Sequence, residues 1–180
     1  MSKPIGVWRN FAFARMKEST VEKRLFLPAS NKYKCDLLRW GGASIGDDVR
    51  FHFPVSFLNF AGKGRERFKN LSIGDNVFIG HNVQFDLKEE IRIAGDVTIS
   101  ANAVFLTHSE VGTIPLAAHY PPLRAPIEIE GNVYLGANVV ILPGVRIETG
   151  SVVAAGAVVT KNVAANTVVA GVPARVVKTL

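Results

Sequence analysis

The sequence predicts an all-β solenoid, a parallel β-helix of triangular coils, on three observations. First, an apolar residue returns at every sixth position through Ile129, Leu135, Ile141, Ile147, Val153 and Val159. The same interval links Ile73, Ile79 and Phe85, then Ile93, Ile99 and Phe105, and earlier Ile45 and Phe51. Second, three places beyond, wherever the rhythm runs on, stand Asp48, Asn76, Asn82, Asp96, Asn102, Asn132, Asn138, Gly144, Gly150, Gly156 and Asn162. Asp, Asn and Gly are the residues that best accept left-handed backbone angles. Third, the next place is small or β-branched: Val49, Val77, Val83, Val97, Ala103, Val133, Val139, Val145, Ser151, Ala157 and Val163.

Each column has a physical reading. A helical apolar face returns every three or four residues, so period six excludes a helix. β-branched residues between corner residues argue for short strands. Three six-residue sides close a coil, which makes 129–146 and 147–164 two complete coils. Successive coils then stack at about 4.8 Å. The register shifts by two between Phe85 and Ile93, which places an insertion near Leu87–Glu90.

Composition bounds the rest. A chain of 180 residues, 48% hydrophobic and 20% charged, suits one globular domain. It divides into a basic segment over 1–40, expected to be helical, and a solenoid over 41–180. No apolar run is long enough to span a membrane, and MSKPIGVWRN has no secretory-signal pattern. The single cysteine, Cys35, fits a reducing compartment, so a cytoplasmic location is expected. Of the net charge of +6, residues 1–70 carry +8 and the remainder −2. No groove-reading motif or aromatic-basic alternation accompanies that charge, which argues against nucleic acid as a partner. Ile5, Trp8, Phe11 and Ala12 have helical spacing. They read as part of a helix capping the end of the solenoid, in preference to a peripheral membrane contact.

The segments IGDNVFIGHNV, LGANVVILPGV, AAGAVVTKNV and AGVPARVVK resemble the left-handed β-helix acyltransferases with hexapeptide repeats. The likeness is to the maltose, galactoside and xenobiotic acetyltransferase branch, over roughly 41–180. It implies a left-handed coil, a homotrimer, and acetyl-CoA as the acyl donor lying between neighbouring prisms. It also implies a saccharide acceptor, as in polysaccharide biosynthesis, and no metal.

The interruptions of the rhythm locate the site, because breaks in a solenoid map to loops on one face. One break covers 52–70 and the other 106–126. At the second, the corner three places past Phe105 holds His108 instead of Asp, Asn or Gly. An imidazole is suited to take a hydroxyl proton at neutral pH, and the resemblance gives a histidine here that role. His108 is the expected catalytic base. The resemblance further implies acetyl-CoA contacts at Ala137, Ala155, Thr160 and Lys161, with Arg175 and Lys178 as cations for its phosphates. Where the family often has an acceptor-holding asparagine this chain has Gly80. His81, Asn82, Gln84 and Asp86 are therefore the candidates for acceptor contact. Tyr120 and Phe57 are candidate sugar-stacking aromatics, while His52 and His119 read as exposed loop histidines.

Three function classes remain. O-acetylation of a sugar is preferred to N-acetylation of an amino sugar because the resembling branch acts on oxygen. A zinc hydratase on the same fold needs three histidines meeting at a subunit interface; in that family a second histidine follows the first by five residues, and five places after His81 stands Asp86. A silent scaffold gives no reason for His108 at the break.

Overall fold

The computed structural model describes residues 30–180. Residues 1–29 of the segment over 1–40 expected to be helical lie outside them. From Ser44 onward the chain winds as a left-handed parallel β-helix of triangular section, and each coil visits three sheets in turn. The first sheet holds β1 (Ser44–Ile45), β4 (Leu71–Ile73), β7 (Ile91–Ile93), β12 (Ile127–Ile129) and β15 (Arg146–Ile147). The second holds β2 (Arg50–Phe51), β5 (Phe78–Ile79), β8 (Val97–Ile99), β13 (Val133–Leu135), β16 (Val152–Val153) and β18 (Thr167–Ala170). The strand β19 (Arg175–Thr179) folds back antiparallel on β18. The third sheet holds β3 (Val55–Leu58), β6 (Val83–Asp86), β9 (Val104–Phe105), β14 (Val140–Ile141) and β17 (Val158–Val159). A separate antiparallel pair, β10 (His108–Ser109) and β11 (Leu123–Arg124), closes the base of the second loop.

Both apolar columns point inward. Ile79, Phe85, Ile99, Phe105, Leu135 and Ile141 are fully buried, as are Val77, Val83, Ala103 and Val139 from the β-branched column. Ser151 keeps its place in that column by donating its hydroxyl to the Ala164 carbonyl at 2.9 Å, which removes the cost of a buried polar group. The corner column is left-handed at every position named above except Asn162. There the side chain accepts from Arg146 N–H at 2.9 Å, and the left-handed turn falls at Asn166. Close stacking makes its own demand. A Cβ on Gly80 would stand 2.7 Å from the Ala101 nitrogen, nearer than real Cβ atoms approach backbone.

The first break is shorter than the sequence implies. Phe57 stands six places after Phe51, and β3 is the third side of that coil. The loop proper is residues 59–70. Phe57 is accordingly a core residue, stacked on Phe85 with 5.7 Å between ring centroids. Phe85 stacks in turn on Phe105 at 5.0 Å. Burial thus removes Phe57 from the sugar-stacking candidates.

The first coil would present open carbonyls and N–H groups at its end, and α1 (Asn31–Trp40) covers part of them. The Ser30 hydroxyl caps the helix by accepting from Tyr33 N–H. Leu37 and Leu38 are fully buried against the prism. The Asn31 amide donates to the Val49 carbonyl and accepts from Phe51 N–H, while Arg39 donates to the carbonyls of Ile45 and Gly46. The capping helix read from Ile5, Trp8, Phe11 and Ala12 lies outside the described residues. No helix among the described residues is long and apolar enough to cross a membrane.

Replacing Phe85 by Ala should destabilise the protein by about 3–5 kcal/mol, the usual range for a buried phenylalanine. Equilibrium urea unfolding of the variant beside the wild type measures it.

Candidate active site

His108 sits on the edge between the third and first sheets, where β9 leaves its coil and the chain turns out into the second loop. Its side chain is 24% exposed. One coil below, β6 ends in Asp86, 2% exposed and pointing at the same edge. The two meet with His108 Nδ1 2.5 Å from Asp86 Oδ2.

The carboxylate is held by several donors. Its Oδ2 also accepts from the backbone N–H groups of Thr107 at 3.0 Å and His108 at 3.1 Å. Its Oδ1 accepts from the Asn59 amide at 3.0 Å and from Lys88 N–H at 3.3 Å. Thr107 is fully buried, with its hydroxyl 2.8 Å from the Asp86 carbonyl and 3.2 Å from Oδ2. That hydroxyl accepts in return from Glu89 N–H at 3.0 Å. Burial alone pushes the Asp86 carboxyl up. Hydrogen bonds from His108, Asn59 and Thr107, with the charge of His108, outweigh it and hold the group below its ordinary range.

An ionised carboxylate only accepts, so Nδ1 carries the imidazole proton. In the neutral ring Nε2 is then left with its lone pair. A bare, partly exposed Nε2 on an imidazole fixed from behind is the arrangement a general base requires. The loop that follows is clipped at its base by β10–β11 pairing and by the Arg124–Glu110 ion pair at 3.4 Å.

The other predicted residues fall into groups. Thr160 and Lys161 are exposed on the same edge as His108, two coils on. Lys161 and Arg175 line one hollow of about 230 Å³ between the last coil and β19, with Val159, Val163, Val169 and Ala174. Lys178 lies further along β19, opposite Val168. Ala137, Ala155, His81 and Asn82 lie on the other edge of the third sheet, between it and the second. His81 Nδ1 is 2.9 Å from the Phe53 carbonyl, and its ring meets His52 edge-on at 5.3 Å. The Asn82 amide donates to Asn102 in the corner above at 3.0 Å, a structural role. Gln84 is half-buried on the outer face of β6, and Tyr120 is exposed in the second loop, as is His119. Asp86 has a different place from the acceptor contact read from the sequence. It lies behind His108 with both oxygens engaged by the protein. Among the described residues no cluster of three or more His, Cys, Asp or Glu stands in position to hold a metal ion.

Comparison with known proteins matches the repeat itself. A family model described as bacterial transferase hexapeptide (six repeats) covers residues 126–161, and one described as hexapeptide repeat of succinyl-transferase covers 70–105. A hexapeptide-repeat acetyltransferase of Vibrio cholerae, crystallised with acetyl coenzyme A, superposes with a TM-score of 0.77 at 28% identity. The superposition covers 98% of this chain and 90% of that one. The chain carries the transferase hexapeptide repeat over both matched stretches, on the same fold as that acetyltransferase. Galactoside acetyltransferase, crystallised with coenzyme A, aligns with this hexapeptide-repeat protein at 25% identity and a TM-score of 0.66, over 98% of this chain and 84% of that one. A 2,3,4,5-tetrahydropyridine-2,6-dicarboxylate N-acetyltransferase of Staphylococcus aureus is 51% identical over 71 residues, 39% of this chain. The matched stretch spans 30% of that relative's length.

The sequence reading missed Asp86 as the partner of His108, and missed Thr107 and Asn59. A signal was present for the first. Phe85 and Phe105 occupy one column a coil apart, which makes Asp86 the neighbour of Leu106 and brings it close to His108.

The depressed carboxyl of Asp86 stabilises the fold above the ordinary aspartate value of about 3.9, and that contribution is lost as pH falls through the lower folded value. The stability gap between wild type and Asp86→Asn should therefore hold steady at neutral pH and shrink below about pH 4. Thermal melts across that range give the test.

Proposed function

We propose that this protein transfers the acetyl group of acetyl-CoA to a hydroxyl of a saccharide, with His108 as the general base. The observation that carries the reading is the Asp86–His108 pair, with Nδ1 committed to the carboxylate and the imidazole partly exposed. His108 Nε2 accepts the proton of the attacking hydroxyl as its oxygen bonds to the acetyl carbon. As the carbon–sulfur bond breaks, the same nitrogen returns that proton to the sulfur of coenzyme A, so the base is regenerated. Asp86 stabilises the imidazolium between the two transfers.

The hollow holding Lys161 and Arg175 fits the phosphates of coenzyme A, because two cations on an exposed rim face a ligand that carries several negative charges. Thr160 and Lys178 extend that rim. Ala137 and Ala155 offer small side chains where a flexible pantetheine arm needs close backbone approach. Neighbours on the same fold are crystallised with acetyl-CoA or coenzyme A.

A homotrimer completes the site. His108, Thr160 and Lys161 lie on one edge of the third sheet, while His81, Asn82, Ala137 and Ala155 lie on the other. Within one protomer the sheet separates them, whereas an adjacent copy can bring one edge against the other. The outer faces agree with this. The first sheet carries a charged ladder in which Arg92 and Arg146 pair with Glu90, Glu128 and Glu130. The second presents Phe78, Tyr134, Val152 and Val168, and the third Val104, Val140 and Val158, an apolar surface suited to an interface. In that assembly His81, Gln84 and Tyr120 are the acceptor-contact candidates.

A second reading, acetyl transfer to an amine, is favoured by the Staphylococcus aureus relative and its N-acetyltransferase name. The same base and donor serve both. Thiol release measured with neutral sugars and with amino sugars separates them, and turnover of amines alone would replace the hydroxyl reading.

His108→Ala should lower turnover by about 100- to 10,000-fold, the range for a lost acid–base group. Coenzyme A should still raise its melting temperature. Wild-type turnover in that variant would overturn the assignment of the base. Lys161→Ala and Arg175→Ala should raise the KM for acetyl-CoA with kcat little changed, measured in the same thiol assay.

A further inference from the structure

The hydrogen-bonding groups behind His108 form a chain that starts one coil earlier than Asp86. Asn59 follows β3, and its amide nitrogen donates to Asp86 Oδ1 at 3.0 Å. The pairing of β3 with β6 sets Leu58 beside Asp86, which brings Asn59 within reach of the carboxylate. Asn59, Asp86 and His108 therefore belong to three successive coils on one edge of the prism. We propose that Asn59 is a positioning residue for the reaction, holding the Asp86 carboxylate so that Oδ2 faces Nδ1 of His108. The inference rests on His108 being the base.

Counting donors gives the physical argument. Asp86 Oδ2 is held by the Thr107 and His108 backbones as well as by the imidazole. Among the described residues, Oδ1 has only Lys88 N–H, at 3.3 Å, besides Asn59. Without the Asn59 amide, the carboxylate loses a side-chain donor on that oxygen and is freer to rotate about its Cβ–Cγ bond. Water then competes for the oxygen that orients the imidazole. The His108 ring would keep its place on the backbone, but its proton would divide between Nδ1 and Nε2. Only the form with the proton on Nδ1 can act as base through Nε2.

Asn59 has a second property that a test must separate from the first, a left-handed backbone with φ of 52°. Glycine adopts that conformation freely, and aspartate tolerates it. Asn59→Gly removes the donor and keeps the turn. Asn59→Asp keeps the turn and the shape, and sets a carboxylate against Asp86. Ring-nitrogen chemical shifts of His108, recorded at about pH 8.5, above the ordinary imidazole value, report where the proton sits. In the wild type they should show Nδ1 protonated and Nε2 bare. Both variants should show a mixture, with kcat lowered about tenfold, as expected from one lost hydrogen bond to a charged group. The KM for acetyl-CoA should stay constant.

If both variants keep the wild-type shifts and kcat, Asn59 only closes a turn and the proposal fails. Should the wild type transfer no acetyl group to any acceptor, the functional reading fails. The nitrogen shifts would still decide whether Asn59 orients the pair.

Discussion

Everything in this molecule depends on each coil landing in register on the one before it. Backbone hydrogen bonds between coils are made in the same pattern on all three faces, and they hold only if every coil turns its corners at matching places. That requirement explains the corner residues from Asp48 to Gly156, whose left-handed angles bend the strand within a single residue. It also explains Gly80 and Gly136, where the next coil passes too close for a Cβ. The interior is then a set of vertical stacks, of which Phe57, Phe85 and Phe105 form the most regular. A side chain of another shape in such a stack disturbs the coil above and the coil below together.

The site draws on the same register. Asp86 and His108 are far apart in sequence, yet they meet because Phe85 pairs with Phe105 and the chain departs from each coil on the same edge. Thr107 ties the two coils at that point through the backbone and side chain of Asp86. The dyad thus stands on the rigid part of the structure, and the loop beyond it begins only after the imidazole has been placed. This is the order expected of a group that must be held while its surroundings adapt to a substrate.

The fold was legible in the sequence because its determinants repeat. One period and two accompanying columns specify the inward residues and the corners, and the exceptions are local. Asn162 gives up its left-handed angle where the last coil breaks its rhythm, and Phe57 hides within an apparent loop although it keeps the six-residue step. His108 could be found as the residue that breaks the corner rule. Asp86 could be seen but was given another role, since its contact with His108 depends on how coils stack, a relation that no single stretch of sequence displays. Asn59 had no signal, being a surface asparagine at a turn. The two sets of presumed donor contacts were named from resemblance, and the prism separates them onto different edges.

The short pairing of β10 with β11 separates two tasks within one coil. His108 faces Arg124 across that pairing, so the residues between 110 and 122 leave and return through a closed neck. What happens in the excursion reaches His108 through that neck. On the proposed reading, a lineage can lengthen, shorten or replace the excursion and keep His108 where it stands, as a tool keeps its handle when the bit is changed.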